Sequence, residues 1–453
     1  MSQDIVILAA GKGSRMKSAF SKVLHKVGGI AMVRRVLATA NTLPESKLHL
    51  VVGYQGEQVE ANCQDFSANV VWQNDPRGTG DALRRVAPFL QENGATLTLY
   101  GDVPLIRAST LQKMSALSNP ETLVLLTISL DNPTGYGRIV RDEQGHVTAI
   151  VEQKDATEPQ LAIKEVNTGI LLAPNKHLQG WLAELTNNNA QGEYYLTDVI
   201  AMAARDGVKI VTVNPENEAE VAGVNDRVQL AALERELQSQ QAITLMQNGA
   251  TLLDPSRIDV RGELLTGNDV VIDVNCVFEG KVTLGSGVEI GPNCHLKNCT
   301  VGDNTIIKSN TLIEESDVGQ YCDIGPFARL RPGTKLSNKA KIGNFVETKK
   351  AIIGEGSKVN HLSYIGDTKM GANVNVGAGT ITCNYDGVNK HLTQVADNVF
   401  IGSNSSLVAP VQVAEGATIA AGSTITKQVG EKQLAFARAR QTNKDNWSKP
   451  VKK

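Results

Sequence analysis

The chain has 453 residues, 45 Lys plus Arg against 47 Asp plus Glu, and 41% hydrophobic residues, a size that suits two or three domains with cores of their own. Its near-neutral charge excludes a broad cationic face for nucleic acid, and 4% aromatics exclude a stacking platform for single strands. No apolar run approaches a membrane-spanning length, the first residues lack a leader's basic segment and cleavage site, and the six cysteines form no CxxC pair. These features read as a cytoplasmic chain with free thiols, no zinc ribbon and no membrane insertion.

The first half alternates short apolar runs with amphipathic stretches. Ile5–Ala10, Leu48–Gly53, Val70–Gln73, Thr96–Gly101 and Leu123–Leu130 are strand candidates, and Ala31–Thr39 and Asp81–Gln91 are helix candidates. That alternation predicts a mostly parallel sheet covered on both faces, an α/β domain over residues 1–227. Right after the first strand comes Leu8-Ala9-Ala10-Gly11-Lys12-Gly13-Ser14-Arg15-Met16. Glycines 11 and 13 let backbone amides approach a phosphate chain, and Arg15 and Lys22 add charge against it. Neither GxxxxGK[ST] nor GxGxxG is present. A second element, Tyr100-Gly101-Asp102, ends an apolar strand in a carboxylate, at the strand end where open α/β sheets gather ligands and where an Asp can hold Mg²⁺.

From Asp226 to Gly249 the pattern changes. Val228, Leu230, Leu233, Leu237, Ile243 and Met246 recur at near-helical spacing, and Gly249 is a plausible stop. Residues 228–248 are expected to form a linker helix acting as a rigid connector, about 30 Å long.

Residues 249–453 are richer in glycine, 23 against 18 in the longer preceding part. Aliphatic residues or Phe fall at 272, 278, 284, 290, 296, 301, 307, 313, 318, 324, 330, 336 and 342, then at 353, 359, 365, 376, 401, 407, 413, 419 and 425. Most steps are six residues, and ten of these positions are followed directly by Gly. A period of six fits neither a helix nor an ordinary strand. It fits a solenoid whose hexapeptides each make a short strand and a corner, the aliphatic side chain pointing inward. The stretch 378–399 breaks the period and reads as an inserted loop. The solenoid's flat sides favour side-by-side packing, which a closed ring of three copies would bury.

Several longer motifs carry a resemblance: LAAGKGSRM with Lys22, QNDPRGTGDA (73–82), YGDVPL, NPTGYGR (132–138), VEQKDA, EVNTG, QGEYYLTD and GVNDR. They resemble the sugar-nucleotide pyrophosphorylases. Joined to the hexapeptide half, the whole chain is similar to the bacterial bifunctional N-acetylglucosamine-1-phosphate uridyltransferase / glucosamine-1-phosphate N-acetyltransferase family. Ser14 stands where the family commonly has Thr, and Ser21 where it usually has Pro. The resemblance implies a Rossmann-like nucleotidyltransferase followed by a left-handed parallel β-helix. It implies N-acetylation of glucosamine 1-phosphate by acetyl-CoA, then transfer of uridylate from UTP to N-acetylglucosamine 1-phosphate with release of pyrophosphate. The product, UDP-N-acetylglucosamine, feeds peptidoglycan and lipopolysaccharide.

By the same resemblance, Leu8, Ala9, Ala10, Gly11, Lys22, Gln73, Gly78, Thr79, Tyr100 and Gly101 surround the uridine nucleotide, and Gly137, Glu152 and Asn167 contact the sugar. Asp102 and Asn225 hold Mg²⁺, with Arg15 and Lys22 neutralising phosphate charge. In the solenoid, His361 matches the family's base and Glu347 the carboxylate that orients it. Arg331, Lys349, Tyr364 and Asn375 match contacts to the amino-sugar phosphate. Ala378, Asn384, Tyr385, Ser403, Ala421 and Arg438 match contacts to acetyl-CoA, and Arg440 is an additional cation nearby. One acetyl-transfer site draws on neighbouring subunits of a homotrimer in this family. The competing reading keeps only the nucleotidyltransferase and makes the solenoid an oligomerisation or regulatory module.

Overall fold

The computed structural model describes residues 2–452. Two compact units divide within a helix, at Leu237/Gln238.

In the first unit, the expected strands form at Gln3–Ala9, Ser46–Val52, Asn69–Trp72, Ala95–Tyr100 and Thr122–Ser129. Two more join them, Glu165–Pro174 and Lys209–Val213, and the hairpin Arg138–Arg141/Val147–Val151 hangs from the edge of Glu165–Pro174. Apart from the hairpin, the sheet is parallel except for Glu165–Pro174, which runs antiparallel to both its neighbours. Gln3–Ala9 pairs with Ser46–Val52 on one side and with Ala95–Tyr100 on the other. The winding therefore reverses at this central strand, and a crevice opens at the carboxyl ends of Gln3–Ala9 and Ala95–Tyr100. Helix Met32–Ala40 forms as expected. The helix expected to reach Gln91 stops at Val86 and tightens into a 3₁₀ turn, Ala87–Phe89, where Pro88 has no amide hydrogen to continue the ladder.

The helix Arg227–Gln247 starts where Asp226 Oδ1 accepts from the amides of Val228 and Gln229, 2.9 Å each. It ends before Gly249, whose φ of 95° only glycine adopts without strain. The apolar positions read from the sequence do not share one buried face. Val228, Ile243 and Met246 are exposed, whereas Leu233 and Leu237 join a cluster with Met16, Val27, Met32, Leu105 and Val224 in the first unit. Ala242 and Leu245 belong to the core of the second unit, where buried Gln238 exchanges two hydrogen bonds with the backbone of Val260. Both halves of the helix are thus packed rather than free-standing.

In the second unit, every named aliphatic position from Ile272 to Ile425 is buried, stacked in one column of core. All strands pair in parallel, most coils advancing 17 or 18 residues, as in Ile272↔Ile290 and Ile290↔Ile307, and 25 where residues are inserted, as in Val376↔Ile401. The coil is a left-handed parallel β-helix. The gaps in the apparent period have a chemical cause. Thr348 and Thr382 sit at inward positions, fully buried, with Thr348 Oγ1 3.0 Å from that of Thr334 and Thr382 Oγ1 accepting from the Gly366 amide at 2.7 Å. Glycines after the inward residues serve mainly close stacking: a Cβ on Gly343 would collide with the carbonyl of Asn360 on the next coil. The left-handed corner conformation is shared among asparagines such as Asn275, Asn293, Asn304 and Asn404, other glycines such as Gly287 and Gly422, and side chains such as Phe327 and Lys339. Residues 378–399 are not one loop. Strands Ile381–Cys383 and Thr393–Val395 keep the coil, and only the segment between them departs from it, pinned by Asp386 on the amides of Val388 and Asn389 and on His391.

Candidate active sites

The crevice in the first unit is a cleft of about 240 Å³. Its walls bring together Leu8, Ala9, Ala10, Gly11, Lys22, Gln73, Gly78, Thr79, Tyr100 and Asp102, all expected from the sequence. Val23, Pro76, Ala82 and Glu193 line it as well; the first three carry no distinctive chemistry, and Glu193 reaches the cleft from a segment far along the chain. Gly101 lies just beneath, its amide donating to the Leu8 carbonyl at 2.9 Å and so joining the two strand ends.

Lys22, held on a short 3₁₀ turn, forms an ion pair with Asp102 Oδ2 and sits 3.2 Å from Asn225 Oδ1. Arg15 Nη2 donates to the same Asn225 oxygen at 2.9 Å. Two hard oxygen donors therefore point at one place, and an ammonium group occupies it. That donor set suits Mg²⁺, which binds one or two protein oxygens and completes its shell with phosphate oxygens and water. Among the described residues no cluster of three or more His, Cys, Asp or Glu side chains forms a metal site.

Gly137, Glu152 and Asn167 gather separately from the nucleotide walls. The Asn167 amide donates to the Gly137 carbonyl at 2.9 Å, and Gly137 packs against Ile150, where a Cβ would collide, with the Glu152 carboxylate alongside. Burial raises the Glu152 pKa, against a hydrogen bond from Thr197 Oγ1 at 3.1 Å. Thr197, in the QGEYYLTD stretch, was not singled out from the sequence. The ladder slips between Asn167 and Leu171, and Gly169 there, at φ 86°, makes space for the Tyr100 ring.

On the solenoid, His361 ends the strand Lys358–His361 and pairs with Asn344 on the preceding coil. Its Nδ1 lies 2.9 Å from Asn344 Oδ1. Glu347, expected to orient the histidine, instead binds Arg331 Nη1 at 2.7 Å. The reason is topological: Glu347 pairs with Tyr364 in another sheet, around the corner from His361. There Arg331, Lys349 and Tyr364 do assemble, the Tyr364 ring lying where a side chain on Gly366 would be. A third cation joins them. Contact with the Lys390 ammonium, with help from Arg331, lowers the Lys349 pKa. Lys390 lies in the segment that breaks the hexapeptide period, so no repeat pattern marked it.

Asn375 lies on a neighbouring strand, paired with Lys358 and Phe400. Asn384 is buried, its amide donating to Asp367 Oδ2 at 2.5 Å, while Tyr385 is exposed at the start of the excursion. His361, Ala378, Ser403 and Ala421 occupy equivalent places on successive coils, the amide after each donating to the carbonyl of its predecessor. With about 4.8 Å per coil, that column spans roughly 14 Å. At its far end Arg438 Nη1 donates to the Ala421 carbonyl at 2.7 Å, and Arg440 is exposed close by in sequence.

The cleft at a winding reversal and the cationic face of a hexapeptide coil define a nucleotidyltransferase joined to a hexapeptide-type transferase. Residues 5–160 match the MobA-like NTP transferase domain family, 260–346 the GMPPB C-terminal domain family, and 393–427 the bacterial transferase hexapeptide family. Over its full length the chain is 90% identical to the bifunctional protein GlmU of Marinomonas sp. (strain MWYL1), covering all of that protein. It is 59% identical to that of Marinobacter nauticus and 54% identical to that of Pseudomonas putida, with at least 99% of each chain covered. The chain belongs to the bifunctional GlmU family, and it is a bifunctional transferase. No helix among the described residues is long and apolar enough to cross a membrane.

Proposed function

We propose that the chain makes UDP-N-acetylglucosamine in two steps on two sites. The solenoid acetylates glucosamine 1-phosphate from acetyl-CoA, and the N-terminal cleft joins the product to UTP. The observation that carries this reading is the Arg331–Lys349–Lys390 cluster beside Tyr364. Three cations against two carboxylates, Glu347 and Asp367, leave net positive charge on an exposed face, which suits a phosphorylated substrate and has no use in a purely structural coil. This argues against the solenoid as an oligomerisation or regulatory module alone.

In acetyl transfer the sugar amine attacks the thioester carbonyl. A carbon–nitrogen bond forms, the carbon–sulfur bond breaks, and His361 takes the amine proton and returns it to the departing sulfur, so the coenzyme leaves as a thiol. The column from His361 through Ala378 and Ser403 to Ala421 supports a direction for the coenzyme. Its thioester lies at His361 and Ala378, and its phosphates lie at Arg438 and Arg440.

In uridyl transfer the sugar phosphate is already a nucleophile, because its second pKa is about 6, so no general base is needed. The residues of the cleft hold its oxygen in line with the α-phosphorus, and the bond to the departing pyrophosphate breaks. Lys22 and Arg15 lie where phosphate charge builds up, and Glu152, Asn167 and Gly137 hold the sugar. Mg²⁺, held by Asp102 and Asn225, supplies electrostatic neutralisation of the phosphates when bound.

We read the working form as a cytoplasmic homotrimer whose product enters peptidoglycan and lipopolysaccharide synthesis. An assay with glucosamine 1-phosphate, acetyl-CoA, UTP and Mg²⁺, each omitted in turn, tests the whole scheme. Formation of UDP-N-acetylglucosamine without acetyl-CoA would contradict it.

A further inference from the structure

Gln73 is almost fully buried in the wall of the nucleotide cleft, at 3% exposure. Its amide nitrogen has two hydrogens and both are committed. One goes to the Gly78 carbonyl at 3.1 Å and the other to Asp81 Oδ2 at 2.7 Å. A carboxylate and a carbonyl can only accept, so the amide has one orientation. Asp81 is itself buried in the first turn of the helix Thr79–Val86, and Arg85 one turn later donates to the same carboxylate oxygen at 3.2 Å. Among the described residues nothing donates to Gln73 Oε1. The side chain therefore offers the cleft a hydrogen-bond acceptor and no donor.

We propose that Asp81 is a specificity-determining residue: by holding the Gln73 amide in this orientation, it makes the cleft accept uracil and reject cytosine. The proposal rests on the reading of the cleft as the uridine site. Uracil carries a hydrogen on N3 that an acceptor receives. Cytosine carries a lone pair at N3, and two acceptors face to face repel each other and lose their water without replacement. A free glutamine could rotate its amide by half a turn and serve either base. Asp81 removes that option, because rotation would set the Gln73 oxygen against a buried carboxylate. The Gly78 carbonyl acts in the same direction, and Arg85 keeps the carboxylate in place. Asp81 touches no substrate and acts only through Gln73.

The test uses the full chain and compares kcat/KM for UTP, dTTP and CTP in Asp81→Asn and Gln73→Leu. Asparagine at 81 can meet Gln73 with either its oxygen or its amino group, so only the longer bond to the Gly78 carbonyl still favours one orientation. The UTP-over-CTP ratio is expected to narrow by roughly 10-fold or more. dTTP, which shares the N3 hydrogen, should follow UTP, and acetyl transfer by the same preparation should be unchanged. Gln73→Leu removes the acceptor and should collapse the ratio further. If Gln73→Leu collapses it and Asp81→Asn leaves it intact with an unaltered UTP KM, the role of Asp81 is overturned. If Gln73→Leu also leaves it intact, Gln73 does not meet the base, and the uridine-site reading fails with it.

Discussion

Asn344 Oδ1 lies 2.9 Å from His361 Nδ1, each residue at the same place on consecutive coils. An amide oxygen only accepts, so Nδ1 carries the hydrogen and Nε2 keeps the lone pair that a base needs. Lys308, Asp323 and Lys341 line the same small pocket, with Asp323 paired to Lys308 at 2.6 Å. The groups around His361 are thus a neutral amide and a cation-rich cluster, with Glu347 turned away to Arg331.

Asn344→Ala should therefore lower kcat for acetyl transfer by roughly 10- to 100-fold, with little change in the KM for acetyl-CoA. Asn344→Asp should shift the acid limb of the kcat/KM profile to higher pH, since a carboxylate beside Nδ1 favours the protonated ring. Steady-state kinetics across pH check both. An Asn344→Asp profile that overlays the parent would show that this contact does not govern the ring.

Lys22 bridges Asp102 and Asn225 within the nucleotide cleft. Lys22→Met should reduce kcat/KM for pyrophosphate release from UTP by about 100- to 1,000-fold, a loss of the size seen when one aimed charge is removed from a phosphoryl-transfer site. Acetyl transfer should be unaffected, because the two sites lie in different units. A pyrophosphate-release assay and a thiol-release assay on the same sample separate these outcomes.

Acid sensitivity of the first unit has an identifiable source in Asp4. Burial alone would push its pKa up. Hydrogen bonds from His49, the Gln91 amide and Asn175 outweigh that and hold it below the usual value. A carboxyl with a depressed folded-state pKa stabilises the fold above its unfolded pKa, and the contribution is lost as pH falls through the folded one. Asp4→Asn should therefore lower the melting temperature at neutral pH and narrow the gap to the parent under acid. Calorimetric scans over a pH series measure this. A gap constant with pH would remove Asp4 from the acid response.

Cutting the chain at residue 227 would strip Leu233 and Leu237 from the cluster formed with Met16, Val27, Met32 and Leu105. Such a fragment should be markedly less stable than one ending at 247, and in the full chain Leu237→Ala should cost about 2–4 kcal/mol in the first unit. Denaturation followed by uridyl-transfer activity reports on that unit alone. Equal stability of the two fragments would mean that the helix contributes nothing to this core.

Much of the architecture was legible because the solenoid writes itself as a six-residue period, and each coil needs one aliphatic side chain per face. The register vanished at Thr348 and Thr382 because a hydroxyl satisfied inside the coil can replace a methyl. Most of the nucleotide cleft was legible too, as its residues cluster in short motifs at strand ends. The partners that tune those residues were not. Asp81, Asn344 and Thr197 act through side-chain contacts that no spacing or motif marks, and Lys390 sits in a segment without a period. The helix face was misread for a related reason. Its two halves pack against different cores, so no single stripe runs along it.

If one chain carries two separable catalysts, each can be lost without the other. The most direct measurement takes Asp102→Ala and His361→Ala in turn and follows both half-reactions on each. Asp102→Ala should abolish uridyl transfer and keep acetyl transfer, and His361→Ala should do the reverse. Loss of both half-reactions in either soluble, folded variant would contradict two independent sites.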